Sequence, residues 1–206
     1  LLRKAHLNID MEMKMELDLK LVKAAAMCAS KEDTRYYLNG VAIQASARGV
    51  FIVATDGHRL AAFKQLQGYD GESFNIIIPL DIIAKIKMNK KDPLATLKPG
   101  DELFNQWSIT HDGSTITFSV IDGTFPDWQR IIPKEVDGKT AQFNMTYLGD
   151  FAKVAKALTG SETHVSIAHN GDGPALLSFG EEVDGLGVLM PLRKTIKAQA
   201  PNWVTA

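Results

Sequence analysis

Val53-Ala54-Thr55-Asp56-Gly57-His58-Arg59-Leu60-Ala61 carries an apolar run into a tight turn and out again. The residues before it, from Val50, are β-branched or aromatic, which writes a strand, and Asp56-Gly57 ends that strand with glycine supplying the backbone freedom of the turn. Alone, this is only a hairpin. Working outward, residues 11–17 alternate Met and Leu with Glu and Lys, the period-two mark of a half-buried strand. Residues 19–30, rich in Ala and Lys, read as a helix, and strands follow at 36–45 and 50–63. The same order recurs: a strand at 74–78, a helix over 80–88 entered through Pro79, strands at 107–110 and 115–120. It recurs again with a strand at 141–144, a helix over 146–158 stopped by Gly160, and strands at 164–168, 175–179 and 187–190. Val22, Ile83 and Leu148 fall at equivalent core positions roughly 60 residues apart. One strand-helix-strands unit leaves an apolar sheet face and an apolar helix stripe uncovered, so units must pack together. The expectation is an α+β fold of three units, with helices on one side of antiparallel sheets.

The chain has 206 residues, 45% of them hydrophobic, enough for a substantial core. Its formal charge of −1 provides no global basic field, so any nucleic-acid surface must come from segregated charge. Cys28 stands alone, which fits a reducing cytosol, and no apolar run approaches the roughly 18 residues of a membrane span. A cytoplasmic protein without membrane contact is expected. Leu1 is not an initiator methionine, which leaves processing, cropping and a fragment open.

Three further segments accompany the Asp56-Gly57 turn. Arg35-Tyr36-Tyr37-Leu38-Asn39-Gly40 lies upstream, and Asp122-Gly123-Thr124-Phe125-Pro126-Asp127-Trp128-Gln129-Arg130-Ile131-Ile132-Pro133 downstream. Val188-Leu189-Met190-Pro191-Leu192-Arg193 closes the series. In this order the four segments resemble the bacterial DNA polymerase III beta subunit family, the sliding clamps. The resemblance implies a clamp-type fold, with residues 11–133 as a complete middle domain, 134–193 as half of a last domain, and 194–206 as a tail beyond the family's usual end. The family has three domains of two units each, whereas three units are legible here. Ring closure through the first domain therefore cannot be carried over.

The resemblance also implies a groove that takes short linear motifs of DNA polymerase, clamp loader or repair proteins. Leu38, Thr55, Gly57, His58, Arg59 and Leu60 would form one wall, Pro126, Arg130 and Ile131 a second, and Val188, Met190, Pro191, Leu192 and Arg193 a third. Aliphatic and Met side chains suit Leu or Phe anchors, and the Arg59 and Arg193 guanidinium groups could cover the rim. The plainer alternative is that the prolines stiffen a linker and end an edge strand. The tail, with Trp203 and Val204, starts within reach of the groove.

Weak, sequence-independent contact with double-stranded DNA would fall to Lys20 and Lys23, Lys85 and Lys87, and Lys153 and Lys156, which recur on the helix of each unit. Arg35, Tyr36 and Tyr37 are further candidates by resemblance. A solvated helix face is the competing reading of each lysine pair. Four chains could form a homo-oligomeric ring; a chain that captures partner motifs without encircling DNA is the alternative. No cofactor and no catalysis are expected, since Asp56, His58, His111, His164 and His169 match no metal spacing. A metal-dependent hydrolase using His58 and His111 is kept as a third reading.

Overall fold

The computed structural model describes residues 14–193, except 102, 104, 163 and 164. Within these, β1 (Met15–Asp18) leads into α1 (Leu19–Ala26), followed by β2 (Gly40–Ser46), β3 (Gly49–Thr55) and β4 (Arg59–Lys64). The second unit holds β5 (Phe74–Pro79), α2 (Leu80–Lys85), β6 (Leu94–Pro99), β7 (Gln106–His111) and β8 (Ser114–Ser119). The third holds α3 (Met145–Thr159), β9 (Ser166–Ala168), β10 (Ala175–Ser178) and β11 (Gly185–Leu189).

The first two units interlock by exchanging their opening strands. β1 pairs with β6 of the second unit, and β5 pairs with β2 of the first. This produces a four-stranded sheet in the order β1-β6-β7-β8 and a larger sheet that begins β5-β2-β3-β4. The third unit continues the larger sheet: β11 lies antiparallel to β4, with Val188 opposite Leu60 and Leu189 opposite Arg59, and β10 and β9 follow to the edge. The strand expected at 141–144 does not form. By the exchange seen in the first two units, that strand would join a companion unit's sheet, and no such unit is present among the described residues.

Local chemistry sets the helix ends. The Asp18 carboxylate caps α1 by accepting from the amides of Lys20 and Leu21, and the Asn144 side chain accepts from Thr146 at the start of α3. Gly160, at φ +82°, stops α3 as its sequence position suggests. Two helices are shorter than expected. After Ala26, α1 tightens into turns in which Cys28 bonds back three residues to Ala25. α2 ends at Lys85 because Ile86 turns extended and buries its side chain in the core. Lys87 is therefore not on a helix. Tyr36 and Tyr37 also differ from expectation: they lie in a 3-10 turn over Asp33–Leu38, ahead of β2 rather than within it. β6 was not legible, being a short strand that ends in Pro99, yet Ala95 and Leu97 alternate into the core.

All three helices pack on one side. Leu19, Val22 and Ala25 of α1 meet Phe151, Val154 and Leu158 of α3 over the inward residues of both sheets. Gly187 lets α3 approach β11 closely, since a Cβ there would stand 2.7 Å from the Phe151 ring. The opposite face of the larger sheet is also apolar. Ala42, Val53, Leu60, Ala62, Ile77 and Val188 form a second cluster there, covered by Phe125 and Trp128 of the segment after β8.

Candidate functional site

The β3–β4 turn is locked by its own side chains. The Thr55 hydroxyl donates to the Arg59 carbonyl (2.7 Å) and accepts from the Gly57 amide (3.1 Å). The Asp56 carboxylate accepts from the amides of His58 (2.9 Å) and Arg59 (3.0 Å). Gly57 sits at φ +87°, where any other residue is strained, and a Cβ there would also push the Arg35 guanidinium aside.

Beyond β11, the Met190 amide donates to the His58 carbonyl (2.9 Å) and the Leu192 amide to the Gln142 carbonyl (2.8 Å). The turn and the segment before α3 thus hold this stretch by its backbone. The side chains remain outward, with Met190 40% and Leu192 45% exposed. Together with Gly57, His58, Asp172, Pro191 and Arg193 they bound a groove of about 680 Å³.

The expected wall residues sort into three groups. Gly57, His58, Met190, Pro191, Leu192 and Arg193 come together at the groove. Leu38, Leu60 and Val188 are buried in the apolar cluster on the sheet's outer face, and Thr55 is buried with its hydroxyl engaged within the turn. Pro126, Arg130 and Ile131 lie outside that enclosure, on a strap anchored to the same apolar cluster through Phe125 and Trp128. The Trp128 indole donates to Gln44 Oε1 (3.0 Å), and Arg130 pairs with Asp127 in solvent.

Arg59 departs from its expected role at the rim. Its guanidinium donates to Asp56 and to Asp150 of α3, lies 4.6 Å from the centre of the Tyr147 ring, and leaves the side chain only 10% exposed. Burial is the largest single influence and disfavours the charges, yet hydrogen bonds and the neighbouring opposite charges together outweigh it. The Arg59 pKa is raised by its bond to Asp150 with the nearby negative charges of Asp56 and Asp150, and the Asp150 carboxyl is held below the usual range by Lys153 and Arg59. Asp150, Tyr147, Gln142 and Asp172 were not foreseen. Only a spacing of three between Asp150 and Lys153 was visible in sequence, and nothing there links either to Arg59. Nearby Cys28 is buried, which pushes its thiol up to about 12 and keeps it protonated.

The expected DNA-facing cations are mostly neutralised locally. Lys85 pairs with Asp81, Lys153 with Asp150, Lys156 with Glu162, and Arg35 with Glu32. Lys23 donates to the Ile83 carbonyl and has its pKa lowered by burial. Lys20 and Lys87 have no ion pair among the described residues. Tyr36 is 55% exposed, edge-on to Tyr37 at 5.9 Å.

The hydrolase reading fails on His111. Its Nε2 accepts from the Asn89 amide, and its Nδ1 donates to the Leu94 carbonyl, both at 2.9 Å, so both ring nitrogens tie backbone together. His58 lies in the turn between β3 and β4 of the other sheet, stacked on Tyr147. His169 Nδ1 accepts from the Ala141 amide, and His164 lies outside the described residues. No group of three or more His, Cys, Asp or Glu among the described residues could hold a metal ion, and no described helix is long and apolar enough to cross a membrane.

Comparison with known proteins points the same way. Residues 12–127 match the family model described as DNA polymerase III beta subunit, central domain. The chain is 28% identical over 131 residues to the beta sliding clamp of Haemophilus influenzae, covering 62% of this chain and 34% of that protein. It is 31% identical over 124 residues to the beta sliding clamp of Escherichia coli K12, covering 57% and 32% respectively. It thus spans about a third of the length of these curated relatives. A crystal structure of the Pseudomonas aeruginosa DNA polymerase sliding clamp with ligand superposes with a TM-score of 0.71 at 20% identity, covering 88% of this chain and 67% of that one.

Proposed function

The chain belongs to the DNA polymerase III beta subunit family through its central domain, and on that premise we propose that it serves DNA replication or repair as a clamp-type binding protein rather than a catalyst. In this reading residues 11–133 form the central domain, and 134–193 form half of a further domain seated on its sheet. The groove at Gly57, His58 and Met190 to Arg193 receives short linear motifs of polymerases and other replication partners. The strap residues Pro126, Arg130 and Ile131 flank the incoming peptide.

One observation carries this reading: Met190 and Leu192 are held out to solvent by a backbone bonded on both sides, directly beyond the buried pair Leu60 and Val188. A large apolar side chain kept exposed by a fixed main chain is a preformed anchor site, and Met adapts its shape to Leu or Phe. Double-stranded DNA would be contacted weakly through Lys20 on α1 and Lys87 just beyond α2, with Lys85, Lys153 and Lys156 compensated by neighbouring carboxylates.

Titration calorimetry with a peptide of the Gln-Leu-x-Leu-Phe type tests the groove. A ligand of this size should bind with roughly −6 to −9 kcal/mol, micromolar in order. Met190→Asp should abolish binding while leaving the thermal transition intact, because the anchor would then meet a charge. Absence of binding to folded wild-type protein at near-millimolar peptide defeats the reading.

A further inference from the structure

The Asp56–Arg59–Asp150 network joins parts of the chain that sequence keeps far apart, since Arg59 and Asp150 are 91 residues distant. Asp150 belongs to α3 and does not line the groove. Arg59 sits on β4, bonds Asp150 with one arm of its guanidinium, and bonds Asp56 with another at 3.1 Å. Asp56 in turn fixes the amides of His58 and Arg59, and the His58 carbonyl receives the Met190 amide. Tyr147, also on α3, covers the guanidinium and stacks on the His58 ring at 6.0 Å and 18°. An unbroken path of hydrogen bonds and ring contacts therefore runs from α3 to the anchor residue of the groove.

We infer that Arg59 and Asp150 form a clasp that positions the groove: Arg59 acts as a positioning residue rather than a peptide contact, and the seating of α3 sets how firmly Met190 is presented. This rests on the groove reading above. Its physical basis is the planar fork of arginine, which can hold two carboxylates in fixed directions at once, whereas lysine cannot. With the clasp open, the turn loses its hydrogen-bonded tie to α3 and keeps only the Tyr147 ring contact, and the Met190 amide can leave His58 without unfolding the sheet.

Asp150→Asn, which keeps the shape and removes the charge, tests the clasp in the full chain by amide hydrogen exchange and by titration with the motif peptide. The Met190 amide should exchange about tenfold faster than in wild type, Ile109 in the four-stranded sheet should be unchanged, and peptide affinity should fall by about tenfold. Arg59→Met should match both effects, and the double variant should be no worse than either single one. Unchanged exchange at Met190 overturns the clasp, as does equal acceleration at Ile109, which marks general loosening. Loss of affinity in Arg59→Met but not in Asp150→Asn also overturns it, because Arg59 would then touch the peptide directly. If wild-type protein binds no peptide, the groove reading falls on that result alone, and the exchange rates still decide the clasp.

Discussion

The two sheets turn different chemistry outward. Among the described residues the four-stranded sheet presents Glu16, Thr96, Ser108, Thr110 and Thr117, a polar face that is exposed or half-exposed, while Leu17, Leu97, Trp107 and Ile109 point to the core. The larger sheet is apolar on both faces, so water must be excluded twice: by helices on one side and by the Phe125 and Trp128 strap on the other. The proposed binding groove lies where that second cover gives out. Past Leu60 and Val188 the chain leaves the sheet as Met190 to Arg193, and the apolar character reaches solvent.

The largest effect should separate the two outer faces. Trp128→Ala removes the main cover of the larger sheet and leaves Gln44 without its donor, so thermal or denaturant unfolding should show a loss of about 3–5 kcal/mol. Thr117→Ala, on the polar face, should stay within about 0.5 kcal/mol of wild type. Equal costs would erase the distinction between the faces.

Two smaller changes divide stability from binding. His111→Phe orphans the Asn89 amide and the Leu94 carbonyl and should cost about 1–3 kcal/mol, with peptide affinity unchanged because the groove is on the other sheet. Gly57→Ala should cost about 1–3 kcal/mol through strain at φ +87°, with the Arg35 guanidinium displaced as well. Unlike His111→Phe, it should weaken the peptide as well. Calorimetry on both variants decides whether the two sheets separate in this way.

The acid limb of stability should be smaller still. Asp150 has a lowered folded pKa, so its contribution is complete above the unfolded value of about 3.9 and disappears as pH falls through the lower folded value. Denaturant unfolding should lose stability in that window, and Asp150→Asn should flatten the loss. Least of all is DNA binding, which should be weak and should vanish as salt rises; each phosphate neutralised steepens the logarithmic slope by about 0.9. Charge reversal at Lys20 and Lys87 should reduce that slope, and an unchanged slope places the contact elsewhere.

The asymmetry of the sheets could partly be read in the chain. Residues 50–54 are apolar without a break, the mark of a strand covered on both faces, whereas the β7 residues alternate. The turn at Asp56-Gly57 and the stop at Gly160 were equally plain, because glycine at positive φ leaves a local signature. The exchange of β1 and β5 was not legible, since a strand's partner is settled by packing across long separations. The same holds for Arg59: its residue type suggested a rim, and only the placement of Asp150 shows the side chain turned inward. The strand expected at 141–144 failed for a related reason, because its pattern was suitable but no partner strand for it lies among the described residues.

The most direct test of the account is an amide chemical-shift map of the folded chain during titration with the Gln-Leu-x-Leu-Phe type peptide. Saturating shifts should gather at Gly57, His58, Met190 and Leu192, while Ser108, Thr110 and Thr117 on the polar face stay in place. Shifts confined to the four-stranded sheet, or none at all at near-millimolar peptide, would contradict it.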